Sequence, residues 1–370
     1  MHVAVVTTTI HVPKLLESYM QDAMSFGHKE VSFIVVGDRK TPNEAREFCQ
    51  TLHRCYAYQT NFLGVDDQEL YLRSYPELAA YLPYDSIQRR NIGILLAYER
   101  GADVIITIDD DNFLAEPNFI RHHSLVGQEI EIDAYSSTDG WINVCDFLTE
   151  QHGFRFYHRG FPLGARLAID GNVPRVQSVR GRIVVNAGFW LEEPDIDAVT
   201  RLAIPLKVTG LKRQENFALG LGTWSPFNSQ NTALARDVIP TYFLSPFIGR
   251  YDDIWASYVT KAIADHLGDL VVFGHPLVRQ ERNPHDYWID LEKERDGMRL
   301  SDAFCGYLRA IKFAGTSYSD CYREAIDGLR SMLNNDGSRN GFDRLYLEDY
   351  VVGMEVWSTT MARVAGQGNH

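Results

Sequence analysis

Hydrophobic and polar positions alternate in blocks along the first third of the chain, and the period changes from block to block. VAVVTT (3–8) is apolar without interruption and predicts a buried strand. LLESYMQDAMSF (15–26) spaces its apolar residues at helical intervals, and VSFIVVGD (31–38) returns to a strand pattern. NEAREFCQTLH (43–53), opened by Thr41-Pro42, is helical again. QRRNIGILLAYERG (88–101) predicts a helix closed by glycine, and VIITIDDD (104–111) a further strand. Strand–helix alternation with near-continuous apolar strands predicts a doubly wound α/β sheet with parallel strands. Ligands of such sheets sit beyond the carboxyl ends of the strands, which is where Thr8 within Thr7–Thr9, Gly37-Asp38 and Asp109–Asp111 fall.

From about 112 to 245 the pattern is less regular and rich in glycine, proline and aromatics, which predicts loops and mixed strands around an acceptor or sugar pocket. DDIWASYVTKAIADHLG (252–268) is an amphipathic helix with Trp255, Tyr258, Val259, Ala262, Ile263 and Leu267 on one face. Beyond 298, Phe304, Tyr307, Leu308 and Ile311 form one apolar face, and Cys321, Ala325, Leu329 and Met332 another. A catalytic region 1–297 and a helical region 298–370 follow, the latter interrupted by a turn at NNDGSRNG (334–341).

Composition narrows the function. A formal net charge of −13 without a basic stripe excludes a phosphate-gripping nucleic-acid binder. Five cysteines, odd in number and without CxxC spacing, argue against a disulfide framework or a zinc site. No apolar run approaches the roughly 20 residues needed to cross a bilayer, and MHVAVVTTTI lacks the marks of a leader. The expectation is a soluble protein of a reducing cytoplasm, its oligomeric state left open.

Three consecutive aspartates at the end of an apolar strand call for a cation. In an extended segment Asp109 and Asp111 project together and Asp110 opposes them. Two carboxylates on one side suit Mn²⁺ or Mg²⁺, whose remaining positions are filled by phosphate and water. Asp252 and Asp253 open a helix, where carboxylates cap free N–H groups, a role compatible with facing sugar hydroxyls or acting as a base. Asp195 and Asp197 in EEPDIDA make a similar pair, as do carboxylates of an acidic surface loop.

RRNIGILLAYERGADVIITIDDDNF resembles the signature of nucleotide-sugar enzymes of the glycosyltransferase A fold. The resemblance implies that Arg89, Arg90 and Asn91 lie near the diphosphate or base and that Asp38 faces uridine. Thr8, Asp110, Arg166, Trp190 and Asn231 complete the expected nucleotide-sugar contacts. GRYDDIWASYVTKAIADHLG, FWLEEPDIDAVTR and HRGFPLGAR resemble segments of the reversibly glycosylated polypeptides, a family that includes the UDP-arabinopyranose mutases. With DSIQRRNIG and IDDDNF, the likeness runs discontinuously from about 85 to 293.

That likeness implies a flavin-free, metal-dependent interconversion of UDP-sugar ring forms, with self-glycosylation at the arginine of RGFP, here Arg159. A guanidinium is effectively always protonated and a poor nucleophile unless a carboxylate takes its proton, so Arg159 as a phosphate clamp stands beside that role. Two departures are visible. Asn112 stands where the family carries cysteine, and Asn283-Pro284 lacks the preceding histidine that the family offers as a metal ligand, leaving His275 and His285 as the nearest. A glycosyltransferase with a separate small-molecule or glycan acceptor is the alternative, and a non-catalytic sugar-nucleotide binder the third reading.

Overall fold

The computed structural model describes residues 1–167, 174–213, 215–283, 286–335 and 341–367. The apolar runs become strands β1 (Val3–Thr8) and β2 (Val31–Val36), fully buried as their continuous hydrophobicity requires. Strand β3 (Gln59–Leu63) is half-exposed at the sheet edge, so no apolar run announces it. Strand β4 (Val104–Ile108) is buried throughout. These four pair in parallel in the order β3-β2-β1-β4, which brings Thr8, Val36 and Ile108 to one edge.

The sheet is parallel only on that side. β5 (Asn112–Leu114), β6 (Glu129–Ser136), β7 (Leu148–Glu150), β8 (Arg175–Glu192), β9 (Val208–Leu211), β10 (Phe217–Leu219), β11 (Asn231–Ala235) and β12 (Leu270–Gln280) extend it as a mixed sheet. From β4 the path runs β11-β8-β6-β10-β12-β5, with β7 and β9 paired off it. β11 lies antiparallel to β4 with Asn231 opposite Ile108, so the segment before β11 arrives beside the aspartates that follow β4. β12 is antiparallel to β5, pairing Gln280 with Asn112, and parallel to β8. Antiparallel entry needs no crossover helix, and this explains why strand–helix alternation fades after residue 111.

The expected helices form at Leu16–Ser25, Glu44–Tyr56, Arg90–Glu99 and Asp252–Leu267, the last ended by Gly268 in the left-handed region at φ 79°. C-terminal helices span Tyr287–Ala310, Tyr318–Asn335 and Gly341–Gln367. The first opens ahead of residue 298 because the Asp286 carboxylate caps it, accepting from the Trp288 N–H at 2.9 Å. Most of the expected turn at 334–341 lies outside the described residues. Phe304 stacks on Trp255 with ring centroids 4.0 Å apart, so Trp255 is core and one apolar cluster joins these helices to the sheet. Among the described residues, no helix is long and apolar enough to cross a membrane.

Helix Arg90–Glu99 lies close on β1 and β2 because Gly93 has no side chain. A Cβ there would meet Val6 Cγ1 at 2.7 Å and Val36 Cγ2 at 2.9 Å, atoms of packed side chains. Gly93→Ala is expected to cost about 1–3 kcal/mol through overpacking, read as a lower denaturant midpoint. An unchanged midpoint would mean that this helix sits farther from the sheet.

Candidate active site

β4 ends at Ile108, and the three aspartates leave it in a turn rather than as more strand. The Asn112 N–H donates to the Asp109 carbonyl at 3.3 Å, and the Asn112 side-chain oxygen accepts from the Asp109 N–H at 3.0 Å. The strand alternation expected of Asp109 and Asp111 therefore does not apply. Turning the chain brings all three carboxylates to one cavity of about 860 Å³. Thr9 Oγ1 donates to Asp110 at 2.7 Å. Asp109 pairs with Arg90, whereas Asp111 Oδ1 is buried with no hydrogen-bond partner.

The opposite wall is an ionic cluster around Arg159. Its Nε donates to Asp195 Oδ1 at 2.9 Å, and its Nη2 to Asp195 Oδ2 and Asp253 Oδ1, each at 3.1 Å. Nη1 donates to the Arg250 carbonyl. Burial opposes the guanidinium's charge, but Asp195 and Asp253 outweigh it and hold its pKa well above the ordinary arginine value. Burial likewise pushes Asp195 up, but Arg159 prevails and holds this carboxyl well below the usual range. Gly160 lets the loop close, since its φ is +81° and a Cβ would meet Ile254 Cγ2 at 2.2 Å. The two arginines of HRGFPLGAR each take one carboxylate of EEPDIDA, for Arg166 donates to Asp197 at 2.8 Å.

Asp252 and Asp253 occupy the first turn of their helix without capping it: the N-cap is Tyr251, which contributes no side-chain bond. Asp253 is saturated, accepting also from the Ser229 N–H at 3.0 Å and the Ser229 hydroxyl at 3.2 Å. Asp252 receives Gln88 Nε2 at 2.8 Å. Burial, followed by the charge of Asp253, pushes the Asp252 pKa up to about 7. Burial, then Asp109 and Asp110, takes Asp111 to about 7 as well.

Several expected contacts stand behind the cavity wall instead of lining it. Arg90 is fully buried and donates to Thr8 Oγ1 at 3.1 Å and to the Ser229 carbonyl at 3.1 Å. Arg89 turns to Gln68 Oε1 at 2.6 Å and lies over the Tyr84 ring. Asn91 ties the Gln88 and Leu244 carbonyls together, at 2.8 Å each. Asp38 accepts from the Ser86 N–H at 3.0 Å and so supports a residue that does line the cavity. Asn231 binds His123 and the Phe189 carbonyl, and Trp190 is buried beside His158. His275 lies against Glu116 and His122, away from the cavity lining. His285 lies outside the described residues. Sequence reasoning passed over Ser229, Gln88, Gln280 and Arg282, polar residues with no motif spacing to mark them.

Residues 3–360 match the family model described as "Reversibly glycosylated polypeptide". The chain belongs to that family. Over 237 residues it is 28% identical to "UDP-arabinopyranose mutase 3" of Arabidopsis thaliana, covering 62% of this chain and 61% of that protein. It is 29% identical over 237 residues to "UDP-arabinopyranose mutase 1" of Oryza sativa subsp. japonica, with the same shares. The matched part thus spans about three fifths of each relative. Among solved structures it resembles a mannosyltransferase of Pyrobaculum calidifontis in complex with GDP-Man and Mn²⁺, at a TM-score of 0.37 and 9% identity, covering 98% of this chain and 85% of that one. That similarity is too slight to assign anything to this chain. Asn112 has a structural role of its own, since its side chain closes the aspartate turn.

A divalent cation fits this cavity. Nine aspartates line it against four cationic side chains, so a doubly charged phosphate ligand would be repelled unless more positive charge entered with it. Among the described residues no group of three or more His, Cys, Asp or Glu side chains forms a ready-made cage. Asp109 and Asp111 would be the protein's share of such a shell, the rest being completed by phosphate and water.

Asp252 gives a pH test. In the folded chain it keeps its proton to about pH 7, whereas its ordinary value is 3.8. The unfolded chain therefore ionises first, and this group makes folding less favourable as pH rises from about 4 to about 7. In the metal-free protein, the stability gained by Asp252→Asn relative to the parent should grow across that interval in urea unfolding. Parallel curves would mean that Asp252 titrates as an ordinary carboxylate.

Proposed function

We propose that this chain is a metal-dependent UDP-sugar enzyme, a flavin-free pyranose/furanose mutase on a glycosyltransferase A-like fold. Family membership supports the reading, and the observation that carries it is one cavity holding both the aspartate turn and the Arg159–Asp195–Asp253 cluster. Residues 1–297 would carry the chemistry, with the helices of 298–370 as support. The setting we propose is cytoplasmic.

In this reading Asp109 and Asp111 hold Mn²⁺ or Mg²⁺, which when bound neutralises charge on the diphosphate as the anomeric C1–O bond breaks. Asp253 and Asp195 are saturated and fix Arg159 as a charged part of the cavity wall. Asp252 is the carboxyl left to exchange a proton with a sugar hydroxyl near neutral pH while the ring opens and re-closes. The charge on Arg159, held by Asp195 and Asp253, disfavours it as the sugar-accepting nucleophile. The same observation favours a second reading, direct transfer of the sugar to a separate acceptor.

Incubating the purified chain with Mn²⁺ and a panel of UDP-pentoses and UDP-hexoses, without acceptor, tests this by NMR. A new UDP-sugar isomer is expected; only slow release of UDP and free sugar would replace the mutase with the transferase. Asp111→Ala should abolish the Mn²⁺-dependent part of UDP binding by calorimetry. Unchanged titration would remove the aspartate turn from the metal site. Arg159→Ala leaves two buried carboxylates without their cation, so turnover should vanish together with about 3–5 kcal/mol of stability; retained turnover would take Arg159 out of the site.

A further inference from the structure

β12 ends at Gln280 beside the aspartate turn, and the chain then passes directly along the cavity. Gln280 pairs with Asn112, and the Glu281 N–H donates to the Asp111 carbonyl at 3.1 Å. These contacts place Arg282 across from Asp111, lining the same cavity. The Arg282 side chain is only 5% exposed, yet its carboxylate neighbours stand at ion-pair distances beyond hydrogen-bond reach: Glu193 at 3.6 Å from Nε and Asp195 at 3.8 Å from Nη2.

Three polar side-chain atoms lining this cavity are buried without a hydrogen-bond partner: Asp111 Oδ1, Gln280 Oε1 and Arg282 Nε. Each such orphan is costly in a finished structure, and more so when charged. The other two arginines at the cavity are already engaged. Arg159 is surrounded by its carboxylates, and Arg250 donates to Glu294 at 2.9 Å. Arg282 is therefore the guanidinium with a buried donor still to satisfy. Its planar fork matches phosphate oxygens in geometry.

We propose that Arg282 binds the diphosphate of the nucleotide ligand, opposite the cation held at Asp109 and Asp111. A metal–diphosphate presents both signs of charge at once: the cation to the unpartnered Asp111 oxygen and phosphate oxygens to Arg282. Arg282 also separates the main cavity from a smaller one of about 520 Å³ lined by Glu192 and Glu193. The proposal rests on the nucleotide-sugar reading above.

The test measures UDP binding by calorimetry and uridine binding by ligand-observed NMR, both with Mn²⁺ present, on the whole chain. The parent should prefer UDP to uridine. Arg282→Gln should lose at least about tenfold in UDP affinity while holding uridine within about twofold. Arg282→Lys, which keeps the charge and loses the fork, should fall between them, and it carries the test if the glutamine variant does not fold. A parent without preference for UDP would overturn the nucleotide-sugar reading and this assignment with it. A parent that prefers UDP, with variants that bind it equally well, would overturn the role of Arg282 alone.

Discussion

Ser229 joins two buried ionic groups. Its hydroxyl and N–H donate to Asp253, while its hydroxyl oxygen and carbonyl accept from Arg90. A continuous chain of charge therefore runs from Asp109 through Arg90, Ser229 and Asp253 to Arg159 and Asp195. Removing one member of a buried ion pair is strongly destabilising, because the partner is left charged and dry. Six stretches of chain are thus tied to one another: the end of β4, the start of helix Arg90–Glu99, the RGFP loop, the segment after β8 that carries Asp195, the segment before β11 and the first turn of helix Asp252–Leu267.

This arrangement divides the carboxylates by role. Arg159 holds Asp195 as an anion, and Asp253 accepts from Arg159 and Ser229, so the three form one fixed group. Burial, then neighbouring like charges, makes Asp252 and Asp111 retain protons to near neutral pH. Neighbouring groups pushed apart in proton affinity are what acid–base chemistry or cation binding at neutral pH requires.

Much was legible from the chain. Continuous apolar runs mark β1, β2 and β4 because those strands are buried on both faces, and the aspartates follow β4 in every packing of such a sheet. The family resemblance pointed to Arg159, Arg166, Asp252 and Asp253 because those residues sit in contiguous segments. Mixed strands were expected after residue 111, but their bounds and order were not legible: they are half-exposed, short or glycine-bearing, and antiparallel pairing leaves no helical spacer to mark them.

The sequence by itself determined which residue types stand at the strand ends, since local hydrophobic period decides strand, helix and turn. Tertiary structure decided which of them face the cavity. Arg89, Arg90 and Asn91 look like ligand contacts in a line of text but point into the protein, because their helix packs closely on β1 and β2. Ser229 and Arg282 look like ordinary loop residues and reach the site only because β11 pairs with β4 and β12 with β5. Hydrogen bonds and charges act through a few ångströms of space, and the pairing of distant strands sets that spacing.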